Sequence, residues 1–164
     1  MKFGRLLFLC RDPARVREQL AGQQLSCEQA GALRDEISTD EITPLPSLVQ
    51  FDATLGRHAH TGFTAGGERP IGRDALRDAG IEVLVAGKRY GKGSSREHSP
   101  LAEKSAGVRL LIAESFERIY RQNADNLGLL TSTDLGLAER LLRGEDVALD
   151  ALLAGREPQA AAIL

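Results

Sequence analysis

The chain has 164 residues, with 21 Lys and Arg against 23 Asp and Glu, a formal charge of −2, two cysteines and no tryptophan. That length can bury a core as one domain without disulfide staples, and the near balance of charge offers no broad basic field for nucleic acid. The apolar run over residues 3–10 is too short to span a bilayer and is interrupted by Arg5, so neither a membrane span nor a signal peptide is expected, and a cytoplasmic protein is.

Residues 5–10 read as a short strand. Asp12-Pro13 then opens a helix through Leu20, with Asp12 capping it, Pro13 at the first helical position and Gly22 ending it. Thr39-Asp40 with Pro44 reads as a turn, because Asp and Thr side chains bond local amides and proline stops a helix. A polar loop follows, with Gly56, Gly62, Gly66 and Gly67 and no helical period. It is expected to move or to mould a ligand, and its His58 and His60 read as solvated rather than metal-bound. Residues 81–86 form an apolar, β-rich run; residues 101–106 read as helix up to Gly107; residues 108–113 repeat the strand pattern. A short amphipathic helix is expected over 116–123, a buried run from Leu129 and Leu130, and a helix over 137–142 closed by Gly144. Alternating strands and helices imply a mixed α/β domain.

Between the second strand and the helix after it lies Gly87-Lys88-Arg89-Tyr90-Gly91-Lys92-Gly93-Ser94-Ser95-Arg96-Glu97-His98. Gly91 and Gly93 allow backbone angles closed to other residues, and amides at a following helix start attract negative charge, so an anion site is the first reading. Lys88, Arg89, Lys92 and Arg96 would favour a small polyanion. A purely structural alternative stays open: Ser94 and Glu97 fit a capping box, although Pro100 would then lie beyond the first helical position, where Ser99 as cap would place it. The spacing fits neither a Walker loop nor a hydrolase elbow, and it fits the dinucleotide fingerprint weakly, with Arg96 where a small residue belongs.

Tyr90-Gly91-Lys92-Gly93-Ser94-Ser95-Arg96-Glu97-His98 resembles the signature of the swivelling domain of the aconitase and isopropylmalate dehydratase small-subunit family. Ser38-Thr39-Asp40-Glu41-Ile42-Thr43-Pro44 resembles a second segment of that domain. Ile112-Ala113-Glu114-Ser115-Phe116-Glu117-Arg118-Ile119-Tyr120-Arg121-Gln122-Asn123, with Asn126-Leu127-Gly128-Leu129-Leu130, resembles a third, in the same order and spacing. The resemblance covers residues 35–147. It implies the swivelling β/β/α fold in a single domain over residues 1–164, with a strand-helix extension over 1–34 and a tail over 148–164. The extension is longer than in stand-alone small subunits and looks like that of members fused ahead of a cluster domain.

The resemblance also implies a hydro-lyase. Ser94 matches the serine that takes a proton from the carbon beside a substrate carboxylate, a task for which its hydroxyl needs oriented amides and cations close by. Arg96 matches the arginine whose planar fork binds that carboxylate, and Ser95, Thr39, Asp40 and Thr43 match substrate-binding or active-site positions. Arg57 is a candidate for a distal carboxylate, with an exposed surface arginine the equal alternative. Gly91, Gly93, Glu97 and His98 would shape and orient the loop, and Tyr90 reads as packing. The family's [4Fe-4S] cluster needs three cysteines, and Cys10 and Cys27 cannot supply them, so no metal is expected on this chain and a cluster-bearing large subunit or fused domain is expected as partner. The expected substrate is a hydroxy di- or tricarboxylate. A carboxylate-binding or regulatory module without catalysis remains the alternative.

Overall fold

The computed structural model describes residues 1–44, 53–93 and 97–153. Strands β1 (Arg5–Phe8), β2 (Ile81–Ala86), β3 (Leu110–Ala113) and β4 (Leu130–Ser132) form a four-stranded sheet in that order, and each neighbouring pair is parallel. A parallel sheet needs cover on both faces, and the strand residues alternate accordingly. Leu7, Leu84 and Leu111 join one apolar cluster; Leu6, Phe8, Val83, Val85, Leu110 and Ile112 join another. Each such side chain removed from water contributes about 1.5–3 kcal/mol, so these apolar runs hold the molecule together.

The first cluster takes Val16 of α1 (Pro13–Leu20), Ile42 of α3 (Thr39–Ile42), Leu76 of α4 (Ala75–Asp78), Ala102 of α5 (His98–Ser105) and Ala124 of α6 (Arg118–Asn126). The second takes Ala30 of α2 (Cys27–Ala30), Leu137 and Leu141 of α7 (Gly136–Leu142) and Leu152 of α8 (Leu149–Leu153). The result is the mixed α/β architecture expected from the alternation. No described helix is long and apolar enough to cross a membrane.

Strand β1 lies at the sheet edge, where unpaired main-chain groups invite foreign strands. Two glutamines cover them. Gln19 accepts from the Phe8 amide at 2.7 Å and donates to its carbonyl at 3.0 Å, while Gln24 does the same for Leu6 at 3.2 Å each way. The amides thus stand in for a neighbouring strand.

Several boundaries differ from the sequence expectation. Helix α5 begins at His98 rather than at residue 101, with Glu97 at its cap and no side-chain cap bond. Pro100 is tolerated there because the first-turn amides of a helix have no intrahelical acceptor to lose. Ser99 is therefore inside the helix and does not cap it. Helix α6 runs Arg118–Asn126, shifted toward the C-terminus, and the polar loop contains a 3-10 turn over Ala53–His58. His60 is fully buried, which corrects its reading as a solvated histidine.

Candidate active site

The glycine-rich segment leaves the carboxyl end of β2 and is laced by main-chain bonds to two other segments. On one side, Gly87 donates to the Arg34 carbonyl (3.0 Å), Gly91 to that of Ile37 (2.8 Å), and Thr39 to that of Lys92 (2.8 Å). On the other side, Tyr90 donates to Ser115 (3.0 Å) and Glu117 donates back to Tyr90 (2.9 Å). The three segments that resemble the family are thus brought side by side, outside the carboxyl ends of β2 and β3, where open α/β sheets place their ligands.

The Thr39-Asp40 segment is a helical turn rather than an open one. Ser38 and Glu41 form a capping box in which the Glu41 amide donates to Ser38 Oγ (3.1 Å) and the Ser38 amide donates to Glu41 Oε2 (2.9 Å). Arg34 grips the same carboxylate with both terminal nitrogens, at 2.9 and 3.2 Å. Burial pushes the Glu41 carboxyl up, but the Arg34 guanidinium and the Ser38 and Thr64 amides outweigh it and leave Glu41 below the usual carboxylate range. Asp40 is exposed in the first turn of α3, and Thr39 is buried with its edge on the cleft described below. Thr43 is fully buried. Its hydroxyl donates to the Thr39 carbonyl (3.0 Å) and lies 3.0 Å from Ser99 Oγ, so the structure places it beneath the turn, tying α3 to α5, and away from any surface a substrate could touch.

Beneath the glycine turn sits a buried polar cluster that has no signal in the sequence. The Tyr90 hydroxyl donates to Glu103 Oε2, the Tyr120 hydroxyl donates to Glu103 Oε1, and His60 Nε2 lies 2.9 Å from both Glu103 Oε2 and the Tyr90 hydroxyl. Burial, with the neighbouring Glu103 carboxylate, pushes both phenols well above the usual tyrosine range. Tyr90 and Tyr120 meet edge to face at 5.1 Å, and Tyr90 meets Phe116 the same way at 5.9 Å. Gly91 crosses this cluster at φ 87°, and a Cβ on it would come within 2.8 Å of Tyr120 Cδ2 and closer still to Tyr120 Cγ and Cβ. Only glycine fits.

A cleft of about 720 Å³ opens between the glycine turn and the start of α6, lined by Thr39, Arg89, Gly91, Lys92, Gly93, Glu117, Arg118, Ile119, Tyr120 and Gln122. Gly93 (φ 113°) is exposed on its wall, where a Cβ would meet Thr39 Oγ1 at 3.2 Å. The basic cluster expected there is largely committed to acids: Arg89 pairs with Glu36 and Glu117 at 2.9 Å each, and Lys92 pairs with Glu36 at 3.3 Å. Ser94, Ser95 and Arg96 lie outside the described residues. They follow directly from Gly93, and the chain resumes with exposed Glu97 and half-buried His98 at the head of α5. Arg57 forks onto Asp74 (3.2–3.3 Å), is half exposed and does not line the cleft.

No group of three or more His, Cys, Asp or Glu side chains among the described residues is placed to hold a metal. Cys10 and Cys27 are free thiols associated with different apolar clusters, and burial pushes both above the usual thiol range, the reverse of what a metal-binding thiolate needs. This donor set does not fit an iron–sulfur cluster.

Comparison with known proteins agrees with the geometry. The family model described as the aconitase C-terminal domain matches residues 68–134. The 3-isopropylmalate dehydratase small subunit of Pyrobaculum aerophilum is 43% identical over 117 residues, which cover 71% of this chain and 68% of that one. This chain belongs to the 3-isopropylmalate dehydratase small-subunit family. A second small subunit of the family, from Halothermothrix orenii, is 51% identical over 117 residues, covering 71% of this chain and 67% of the relative. The crystal structure of a 3-isopropylmalate dehydratase from Methanocaldococcus jannaschii superposes with a TM-score of 0.51 at 27% identity, covering 79% of this chain and 88% of that one. The small-subunit family is therefore shared in fold as well as in sequence.

Proposed function

We propose that this chain acts as the small subunit, or the equivalent swivelling domain, of an iron–sulfur hydro-lyase of the 3-isopropylmalate dehydratase kind, working in the cytoplasm on a hydroxy di- or tricarboxylate. The observation that carries this reading is the meeting of Thr39, at the start of the Thr39-Asp40 turn, with Gly91 and Gly93 on one cleft wall, with Ser94, Ser95 and Arg96 next in the sequence after Gly93. The [4Fe-4S] cluster is assigned to a large subunit or fused domain, because the thiols of this chain do not fit it. The chain's own residues are assigned the proton and the carboxylate. Ser94 takes the proton from the carbon next to a substrate carboxylate, with its alkoxide supported by main-chain amides of the turn and by cations nearby. Arg96 holds that carboxylate with two parallel N–H bonds, and Ser95 adds a further hydroxyl. Thr39 and Asp40 border the substrate from the α3 side, while Thr43, Glu97 and His98 position the segments around it.

The test is the complex reconstituted with the cluster-bearing large subunit under anaerobic conditions and assayed with a panel of hydroxy acids. Ser94→Ala should lower kcat by about 10²-fold or more while substrate binding is retained, as expected for loss of a general base. Unchanged turnover in Ser94→Ala, or no turnover in the wild-type complex, would overturn the reading.

A further inference from the structure

We propose that Glu103 is a positioning residue: its buried carboxylate clamps together the two described ends of the signature loop, Tyr90 and helix α5. The loop departs at Tyr90 and returns at His98 into α5, and Glu103 lies on that same helix, one of whose carboxylate oxygens accepts the Tyr90 hydroxyl. The entry and exit of the loop are thus joined by a single side-chain bond across its base. The other carboxylate oxygen accepts the hydroxyl of Tyr120, a residue of the cleft wall against which Gly91 packs. Departure point, return helix and facing wall share one anchor.

The proton arrangement follows from the partners. Two phenols donate to the carboxylate, one on each oxygen, and His60 Nε2 completes the set when it carries a hydrogen shared between Glu103 Oε2 and the Tyr90 oxygen. His60, Glu103, Tyr90 and Tyr120 are between 0% and 3% exposed, so none of these bonds competes with water. His60 keeps its place at the cost of a left-handed backbone, φ 63°, and of a buried Nδ1 without a partner among the described residues. A side chain held at two such disadvantages is one whose position the rest of the fold imposes. A leucine or methionine at residue 103 would fill the same space; a carboxylate there adds direction, because it accepts only along its oxygens.

The proposal rests on the reading above of where the chemistry lies, and its test separates the two. Hydrogen exchange is measured on the full chain for the amides of Gly91 and Lys92, both of which donate to the Ile37 carbonyl, with the β2 amides as internal reference. Glu103→Gln, which must turn an N–H toward a donor, should raise exchange at Gly91 and Lys92 by about tenfold or more while β2 stays protected, the mark of local opening. If that variant does not fold, Tyr90→Phe removes one hydroxyl and should give the same local pattern. In the reconstituted complex either variant should lower kcat by about tenfold and raise KM by about threefold or more, as expected when the proposed base and the proposed carboxylate contact are displaced together. Exchange that stays as in the wild type, exchange that rises equally in β2, or an unaltered kcat would overturn the clamp. A wild-type complex without turnover would instead sink the proposed activity, and the exchange pattern alone would then decide the clamp.

Discussion

Replacing Gly91 by alanine tests whether the glycine turn is held by contact or only by main-chain freedom. The added Cβ would lie 2.8 Å from Tyr120 Cδ2 and nearer to Tyr120 Cγ and Cβ, against an optimum near 3.5–4.0 Å for carbon pairs. Rotating the Tyr120 ring cannot relieve this, because its Cβ belongs to the helix frame and its hydroxyl is fixed on Glu103. Either α6 or the turn must move. Overpacking of this kind costs about 1–3 kcal/mol, and a φ of 87° adds about 1–2 kcal/mol for a residue with a side chain. The expected loss is about 2–5 kcal/mol, a large part of the stability of a typical domain and a drop of roughly 5–15 °C in Tm. Gly22→Ala supplies the control, since its φ is 116° and a Cβ there meets none of the described residues within 4 Å, leaving the backbone cost alone. Both variants are compared by urea unfolding with a shared m value. A Gly91→Ala loss no greater than that of Gly22→Ala would refute the contact argument.

The depressed Glu41 carboxyl gives a sign for acid stability. Its contribution is fully present above the unfolded glutamate pKa of about 4.3 and is lost as pH falls through the lower folded value, so Glu41→Gln should flatten the wild-type stability curve below about pH 4.3, measured by urea unfolding at stepped pH. An equally steep acid limb in the variant would show that other carboxylates carry it. Thr43→Val keeps shape but removes the hydroxyl that joins Thr39 to Ser99; it should cost about 1–2 kcal/mol in unfolding and lower kcat in the complex through misplacement of α3. An unaltered unfolding free energy would remove Thr43 from that joint.

What could be read in the sequence was local. Asp12-Pro13 and Gly22 bracket α1 as expected, because cap and terminator act within one helical turn, and β2 fits its apolar run to the residue. The start of α5 could not be read, since Pro100 is compatible with several early helical positions and the choice among them depends on burying Ser99 against Thr43. Ser38 and Glu41, and likewise Ser26 and Gln29, carry a capping-box pattern that was there to find, and it turns the expected Thr39-Asp40 turn into a helical one. The buried cluster had no such signal. His60, Tyr90, Glu103 and Tyr120 are far apart along the chain, and nothing around Glu103 in Leu101-Ala102-Glu103-Lys104 marks it as buried. The signature could be located by resemblance, but what holds it in place is tertiary.

The charges around the cleft bear on how the site recognises an anion. Arg89 and Lys92, counted from the sequence as attraction for a polyanion, are matched in the structure by Glu36 and Glu117 across pairs of 2.9–3.3 Å. All four side chains are between 36% and 54% exposed, so the pairs contribute little to stability, yet at distance their fields cancel. On the proposed function, recognition then rests on contact with the amides of the glycine turn and with the planar fork assigned to Arg96. Such contacts are demanding of geometry, since a bidentate carboxylate contact is lost with a displacement of the order of 1 Å. A site that discriminates at contact needs its loop held in place, and on the proposed function that is the use of the tyrosine-carboxylate cluster, closed to water, which lies beneath the glycine turn.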